Sequence, residues 1–479
     1  MNPFESMGLG PELVKAVADL GFLNPTPIQA ETIPAVLNTG DDLIALAQTG
    51  TGKTAAFGLP IQERLDMLAN HVQALILSPT RELCLQIHKD LDSYSKYLPD
   101  LKQTAIYGGS DVPKQIKALK NNPHIVVGTP GRVLDLIRRK ALKINRINWL
   151  VLDEADEMLN MGFKEELDNI LSTTPENKRT LLFSATMPDA VLKIARKYMH
   201  NPKEIAAGRK NVGAENVRHL FYMVHARDRY EALKRIADMN PSIYGIVFCR
   251  TRQETKDVAD KLKSDGYNAD ALHGDLSQAQ RENVMKGFRN KHLQMLVATD
   301  VAARGLDVND LSHVINYNLP DELEIYIHRS GRTGRAGKSG ISITIIHTRE
   351  INKIRNLEKI TGKKFEKKPV PTGNEICEKQ LFNLVDRMEH TEVDEAQIAG
   401  YMDVIYKKLE WLSREDLIKR FVSVEFNRFL DYYKDAPDLN VKEDKRALKK
   451  QDKEIQPAKS FTRFFINAGL KHKITPPRS

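Results

Sequence analysis

Asn148-Trp149-Leu150-Val151-Leu152-Asp153-Glu154-Ala155-Asp156 reads as a buried strand that delivers carboxylates to its own end. Consecutive large apolar residues fit a parallel strand covered on both faces. In open α/β sheets ligands bind at the C-terminal strand edge, where Asp153 and Glu154 fall. Upstream, Leu43-Ile44-Ala45-Leu46-Ala47-Gln48-Thr49-Gly50-Thr51-Gly52-Lys53-Thr54 is a second strand running into a Gly-rich turn and a helix. Together the two stretches predict a nucleoside-triphosphate site. Successive backbone N–H groups from Gln48 to Thr54 would form a concave anion seat at a helix N-terminus. Lys53 adds a point charge for the β and γ phosphates, and the Thr54 hydroxyl is a ligand for Mg²⁺. The usual pattern opens with Gly, whereas here that position is Ala47. Asp153 is expected to hold the same Mg²⁺ through water, and Glu154 to orient or deprotonate the attacking water.

Outward from these stretches the chain has a regular rhythm. Apolar runs at 43–47, 74–78, 104–107, 125–127, 149–152 and 181–183 alternate with helix-length segments, and the series restarts at 220–224, 245–249, 269–272, 294–298, 313–317 and 341–346. Alternation of this kind predicts an α/β fold with parallel sheets covered on both faces. The polar, Gly-containing stretch Asn201–Asn216 reads as a hinge linker between two similar halves. Two sheets on a short linker make a cleft whose closure couples nucleotide state to a second ligand.

Beyond about Lys368 the pattern is helical, at 380–388, 401–412 and 413–433. In the last, Ser413 is the N-cap with Asp416 three residues on. Its wide apolar stripe (Leu417, Ile418, Phe421, Val422, Phe426, Phe429, Leu430, Tyr433) must bury against something. Either a small bundle of its own or a subunit interface would satisfy it, the bundle being slightly favoured.

The chain has 479 residues and carries a net charge of +9. Residues 441–479 hold 11 Lys or Arg against 4 Asp or Glu. Such a tail serves either solubility or attraction to a polyanion. No apolar run approaches the roughly 20 residues of a membrane span, and the N-terminus lacks the basic and apolar regions of a signal peptide. Cys84, Cys249 and Cys377 have no paired metal spacing and suit a reducing, cytoplasmic setting.

One further segment bears on the nucleotide. His328-Arg329-Ser330-Gly331-Arg332-Thr333-Gly334-Arg335-Ala336-Gly337 is either a solvated loop or a source of positive charge facing the γ phosphate. In the second case Arg332 and Arg335 are arginine fingers, an effect worth roughly 10³–10⁵ in rate.

At this point the set of motifs resembles the DEAD-box RNA helicases. Asp153–Asp156 matches the motif that names the family. Gly21-Phe22 to Ile28-Gln29, with Phe4 upstream, matches its Q motif, and Ala47–Thr54 its motif I. Pro79–Leu83, Gly108-Gly109, Thr129–Arg132 and Ser184-Ala185-Thr186 follow in family order. Val247–Thr251, Gln280-Arg281, Ala298–Asp307 and His328–Gly337 do so in the second half.

The resemblance implies two RecA-like domains, residues 1–207 and 214–366, that bind ATP with Mg²⁺ and separate short RNA duplexes. By it, Phe22 stacks on adenine, Gln29 reads its edge, and Gly305, Asp307, Arg332 and Arg335 reach the nucleotide from the second domain. Asp156, Ser184, Thr186 and His328 couple the nucleotide to closure. Arg81, Gly109, Thr129, Arg132, Arg250, Gly274 and Thr299 face RNA. Phe461–Gly469 is similar to the first strand of the RNA-binding domain of cold-shock DEAD-box helicases, and residues 375–433 to that subgroup's dimerisation region. Residues 434–460 would be a charged linker and 461–479 an incomplete, poorly ordered domain. The same likeness points to structured RNA such as ribosomal RNA, and to stress response and ribosome biogenesis. An ATP-gated RNA clamp and a DNA helicase or translocase fit the same residues.

Overall fold

The computed structural model describes residues 2–47, 50–206, 216–303, 308, 311–334 and 339–441. The chain divides into two compact units, Met1–Leu439 and Asn440–Ser479. The expectations for residues 442–479, and most of the expected hinge, lie outside the described residues.

Seven strands build the first sheet: β1 (Leu43–Leu46), β2 (Ala74–Leu77), β3 (Gln103–Ile106), β4 (Ile125–Gly128), β5 (Trp149–Leu152), β6 (Arg179–Ser184) and β7 (Lys203–Ala206). All pair in parallel, in the order β3-β4-β2-β5-β6-β1-β7. The second sheet has β8 (Val217–Met223), β9 (Gly245–Phe248), β10 (Ala269–Leu272), β11 (Met295–Ala298), β12 (His313–Asn316), β13 (Gly340–Ile346) and β14 (Phe365–Lys368). Its order, β10-β11-β9-β12-β13-β8-β14, repeats the first strand for strand. The duplication read weakly from the rhythm is therefore a duplication of topology.

Strands β2, β4 and β5 of the first sheet are short and wholly apolar because both of their faces are covered. In the first sheet Ala45, Ile76, Val127, Val151 and Phe183 pack on one face, and Ile44, Leu75, Val126, Leu150 and Leu182 on the other. Two strands escaped the sequence reading, β7 and β14. Both are edge strands in which half or more of the residues are exposed, so neither carries the apolar run that marks the others.

The three C-terminal helices are Gly373–His390, Glu395–Leu409 and Arg414–Tyr433. Ser413 Oγ accepts the Asp416 N–H at 3.1 Å, the cap expected from sequence. The bundle reading is met only in part. Phe426 and Tyr433 bury against Ile376 and Cys377, whereas the middle helix has no buried residue. The anchor is instead a polar node on the helix Arg229–Met239. The Asp238 carboxylate accepts both the Tyr267 and the Tyr433 hydroxyls, and the fully buried Arg235 donates to the Pro371 and Pro437 carbonyls at 3.3 and 2.8 Å. Among the described residues no helix is long and apolar enough to cross a membrane.

His219 and His313 are buried in the second sheet, and desolvation of their charged forms lowers each pKa from 6.5 to about 4. His219 is also held by the Tyr326 hydroxyl at 2.7 Å and stacks on Phe365. Depressed values favour neutral rings in the fold, so stability is complete above pH 6.5 and is lost as pH falls towards 4. The loss is on the order of 3 kcal/mol per ring. Thermal melts of wild type and His219→Gln between pH 7 and pH 4 should converge as pH falls, the wild type dropping more steeply. Parallel curves would refute the assignment.

Candidate active site

Strand order brings together the two stretches expected to form the nucleotide site. β1 and β5 both flank β6, so they lie about 10 Å apart across one intervening strand. At the C-terminal edge the Ala47 N–H donates to the Ser184 carbonyl at 3.0 Å, and the Asp153 N–H to the Leu77 carbonyl at 2.9 Å. The start of the phosphate loop, the Asp-Glu pair and the end of β6 thus share one edge. Gln48 and Thr49 lie outside the described residues. Gly50 and Gly52 adopt φ of 85° and 87°, and a Cβ at Gly52 would collide with the Gln29 side chain.

The charges at this edge are buried. Lys53 Nζ has no hydrogen-bond partner, and its nearest carboxylate is Asp153 at 3.8 Å. A buried ammonium left this way is a seat for an anion, and a phosphate oxygen fits it. Burial pushes the Asp153 carboxyl up to about 6. Lys53 opposes that rise and the neighbouring Glu154 adds to it. Asp153 also accepts the Glu154 N–H at 3.0 Å. Glu154 begins the next helix in a left-handed conformation, φ 50° and ψ 52°, which is strained for a side chain with a Cβ and turns it out of line with the strand. No cluster of three or more His, Cys, Asp or Glu that could hold a metal occurs among the described residues. One buried carboxylate, Asp153, with the hydroxyl of Thr54 on the residue after Lys53, fits Mg²⁺, which takes most of its ligands from phosphates and water.

Asp156 is the hub of this edge. Its carboxylate accepts the Thr186 N–H and Oγ1 at 2.9 and 2.7 Å and the Glu157 N–H at 3.1 Å. Its own N–H donates to Ser184 Oγ at 3.4 Å, and Ser184 Oγ donates to the Thr186 carbonyl at 2.7 Å. From the second sheet His328 comes within 3.8 Å of Asp156 and 3.4 Å of Glu157. All four residues expected to couple the nucleotide to closure therefore meet.

Arg332, one helical turn past His328, is buried and lines a small cavity with Glu157, Asp300 and His328. Arg335, Gly305 and Asp307 lie outside the described residues. Arg329, not singled out from sequence, has a structural task. It forks onto Asp300 at 2.5 and 2.8 Å and donates to Asn316 and to the Asn318 carbonyl.

Of the two residues expected to face adenine, Gln29 lies next to the Gly-rich loop. Gln29 accepts the Thr26 N–H at 3.0 Å and donates to the Gly52 carbonyl at 3.1 Å, so its amide ties the N-terminal turn to the phosphate loop. Phe22 packs edge-on to Tyr94.

The residues expected to face RNA all follow strand ends at the C-terminal edges of the two sheets: Arg81 after β2, Gly109 after β3, Thr129 and Arg132 after β4 in the first, Arg250 after β9, Gly274 after β10 and Thr299 after β11 in the second. The arginines have protein partners here. Arg132 donates to the Ser110 carbonyl and Gln115, and Arg250 to the Leu319 carbonyl. Arg81 donates to Glu282 at 2.6 Å and lies over the Tyr107 ring. Beside it Arg281 reaches Glu82 at 3.3 Å. These two pairs cross the cleft with opposite polarity, and sequence could not reveal them, because each joins residues some two hundred positions apart.

Comparison with known proteins gives matches over both sheets and the helices. The family model "DEAD/DEAH box helicase" covers residues 26–194, "Helicase conserved C-terminal domain" residues 228–337, and "Probable ATP-dependent RNA helicase, helical domain" residues 376–434. The chain is 44% identical over 417 residues to the ATP-dependent RNA helicase CshA of Listeria monocytogenes, covering 87% of this chain and 80% of that protein. It is also 44% identical to the DEAD-box ATP-dependent RNA helicase CshA of Geobacillus kaustophilus, covering 81% of this chain and 83% of the relative. Among solved structures, S. cerevisiae Dbp5 bound to RNA and ADP BeF3 superposes with a TM-score of 0.72 at 32% identity, over 79% of this chain and 100% of the other. Mss116p bound to ssRNA and AMP-PNP gives 0.68 at 29% identity, over 95% and 94%.

The crossed pairs make closure testable. Glu82→Arg places two cations face to face and should lower the closed fraction severalfold, read by energy transfer between dyes on the two domains. Adding Arg281→Glu should restore it, with a coupling of about 1 kcal/mol. A double variant no better than either single change would exclude the contact.

Proposed function

The chain belongs to the DEAD-box ATP-dependent RNA helicases, and on that premise we propose how its own residues couple ATP hydrolysis to remodelling of short RNA duplexes. The observation that carries the proposal is the meeting of Asp156, Thr186 and His328, which links the catalytic strand end to the second domain. Lys53 neutralises the β and γ phosphates, and Glu154 orients the attacking water and takes its proton. Thr54 and Asp153 would hold Mg²⁺, which would supply further neutralisation of phosphate charge. Arg332 and Arg335 bring counter-charge from the second sheet. Phe22 and Gln29 face adenine, and Gln48 to Thr51 cradle the phosphates with Gly305 and Asp307 on the opposite side.

In this reading Arg81, Gly109, Thr129, Arg132, Arg250, Gly274 and Thr299 take a single strand along its phosphates and sugars, which positions RNA without reading its sequence. Arg81 must then exchange the Glu282 carboxylate for a phosphate. Closure bends the bound strand out of duplex geometry, and hydrolysis reopens the cleft. An ATP-gated clamp would use the same residues. It would differ in holding RNA through many turnovers. We place the protein in the cytoplasm, acting on structured RNA such as ribosomal RNA, with a role in ribosome biogenesis or stress response.

The exposed apolar face of the C-terminal helices supports self-association. Tyr401, Val404 and Trp411 are each 70% or more exposed. A two-fold contact would bury this patch on both copies. Light scattering should show a dimer that Val404→Glu converts to monomer, and a wild type that stays monomeric at high concentration would overturn this assignment.

The central test is steady-state ATP hydrolysis without nucleic acid, with single-stranded RNA and with matched DNA. RNA alone should stimulate the wild type. Lys53→Ala should abolish turnover, and Glu154→Gln should lose turnover yet hold RNA in ATP. Equal stimulation by DNA, or fast RNA release from Glu154→Gln, would refute the proposal.

A further inference from the structure

The edge of the first sheet opposite the nucleotide site carries a feature the mechanism does not use. A cavity of about 550 Å³ opens where the chain enters β2, β4 and β5. That places it roughly 13 Å, a four-residue strand length, from the carboxylate edge. Its floor is apolar, formed by the buried Val72, Leu119 and Leu142. Lys120, Lys140, Lys143 and Arg146 line it, together with three asparagine amides, and no Asp or Glu lines it among the described residues.

None of these four cations forms an ion pair among the described residues. Nearby Arg139 differs, being tied to Asp135 at 2.7 Å. The surroundings carry the same sign. Residues 112–147 contain nine Lys or Arg and one Asp or Glu. A single phosphate cannot neutralise so many charges, whereas a phosphodiester backbone carries one charge per nucleotide. Apolar floor and amides together offer a base both a face to stack on and groups to hydrogen-bond.

We propose that this concavity is a second RNA seat, which takes phosphates and a base of a strand extending beyond the cleft. It rests on the reading that the cleft itself binds RNA. A strand held at both edges of the first domain would stay attached while the cleft opens, so long RNA would bind more tightly than RNA that fills only the cleft.

The test compares Lys120→Glu/Lys143→Glu with wild type on an RNA of about 8 nucleotides, the scale of one single-strand site, and on one about five times longer. Both lysines are exposed, and the milder Lys120→Gln/Lys143→Gln pair should show a smaller effect in the same direction. The double reversal should weaken the long RNA about tenfold and reduce its salt slope by roughly 1.4, two phosphate contacts' worth. Affinity for the short RNA, and the ATP hydrolysis it stimulates, should be unchanged. Unchanged affinity for the long RNA would overturn the proposal, as would an equal loss on both lengths, the mark of diffuse electrostatics. If AMP bound the Lys53→Ala protein and the double variant lost that binding while long RNA bound normally, the cavity would be a small-ligand site instead. A wild type that binds neither RNA would instead count against the cleft reading.

Discussion

The Asp156 carboxylate is buried and accepts three hydrogen bonds, two from Thr186 and one from the Glu157 backbone. A charge in that position is costly unless it is fully satisfied, and its partners come from two different strand ends. The end of β6 is thereby locked to the segment after β5. His328 then joins the same carboxylate from the second sheet. Movement of the second domain therefore cannot leave the segment after β5 untouched, and the Asp-Glu pair cannot shift without disturbing what the second domain leans on. The left-handed backbone at Glu154 is held between these fixed points.

Around that hub the charges are arranged for a ligand more than for stability. Lys53 and Asp153 are both buried at 3.8 Å, too far apart for a hydrogen bond, and the aspartate's pKa is raised because desolvation outweighs the lysine's attraction. A pair that served only to stabilise the fold would close to hydrogen-bond distance. The arginines at the strand ends show the complementary behaviour. They are occupied by carbonyls and by Glu282, partners that phosphates can replace.

The duplicated topology explains how one chain makes a two-sided site. Two sheets of identical strand order present the same edge, and each contributes its loops to one cleft. The C-terminal helices are fixed to the second of these domains by Asp238 and Arg235, so any partner on their apolar face would move with that domain.

Much of this was legible in the linear chain. Short apolar runs alternating with helices dictate parallel sheets covered on both faces, and the Gly-rich turn and the Asp-Glu strand end declare their chemistry through residue type and local spacing. The Ser413 cap was equally local. The edge strands β7 and β14 were not legible, because a half-exposed edge has no apolar run to announce it. The reach of the helical segment onto Asp238 was hidden for another reason: its amphipathic stripe states that a surface must be buried but not against what. The crossed pairs Arg81–Glu282 and Glu82–Arg281, the two ties of Gln29 and the basic cavity behind the first sheet were decided only by tertiary structure. Each depends on which distant residues the strand order sets side by side, and a charge in sequence carries no record of the charge it will face.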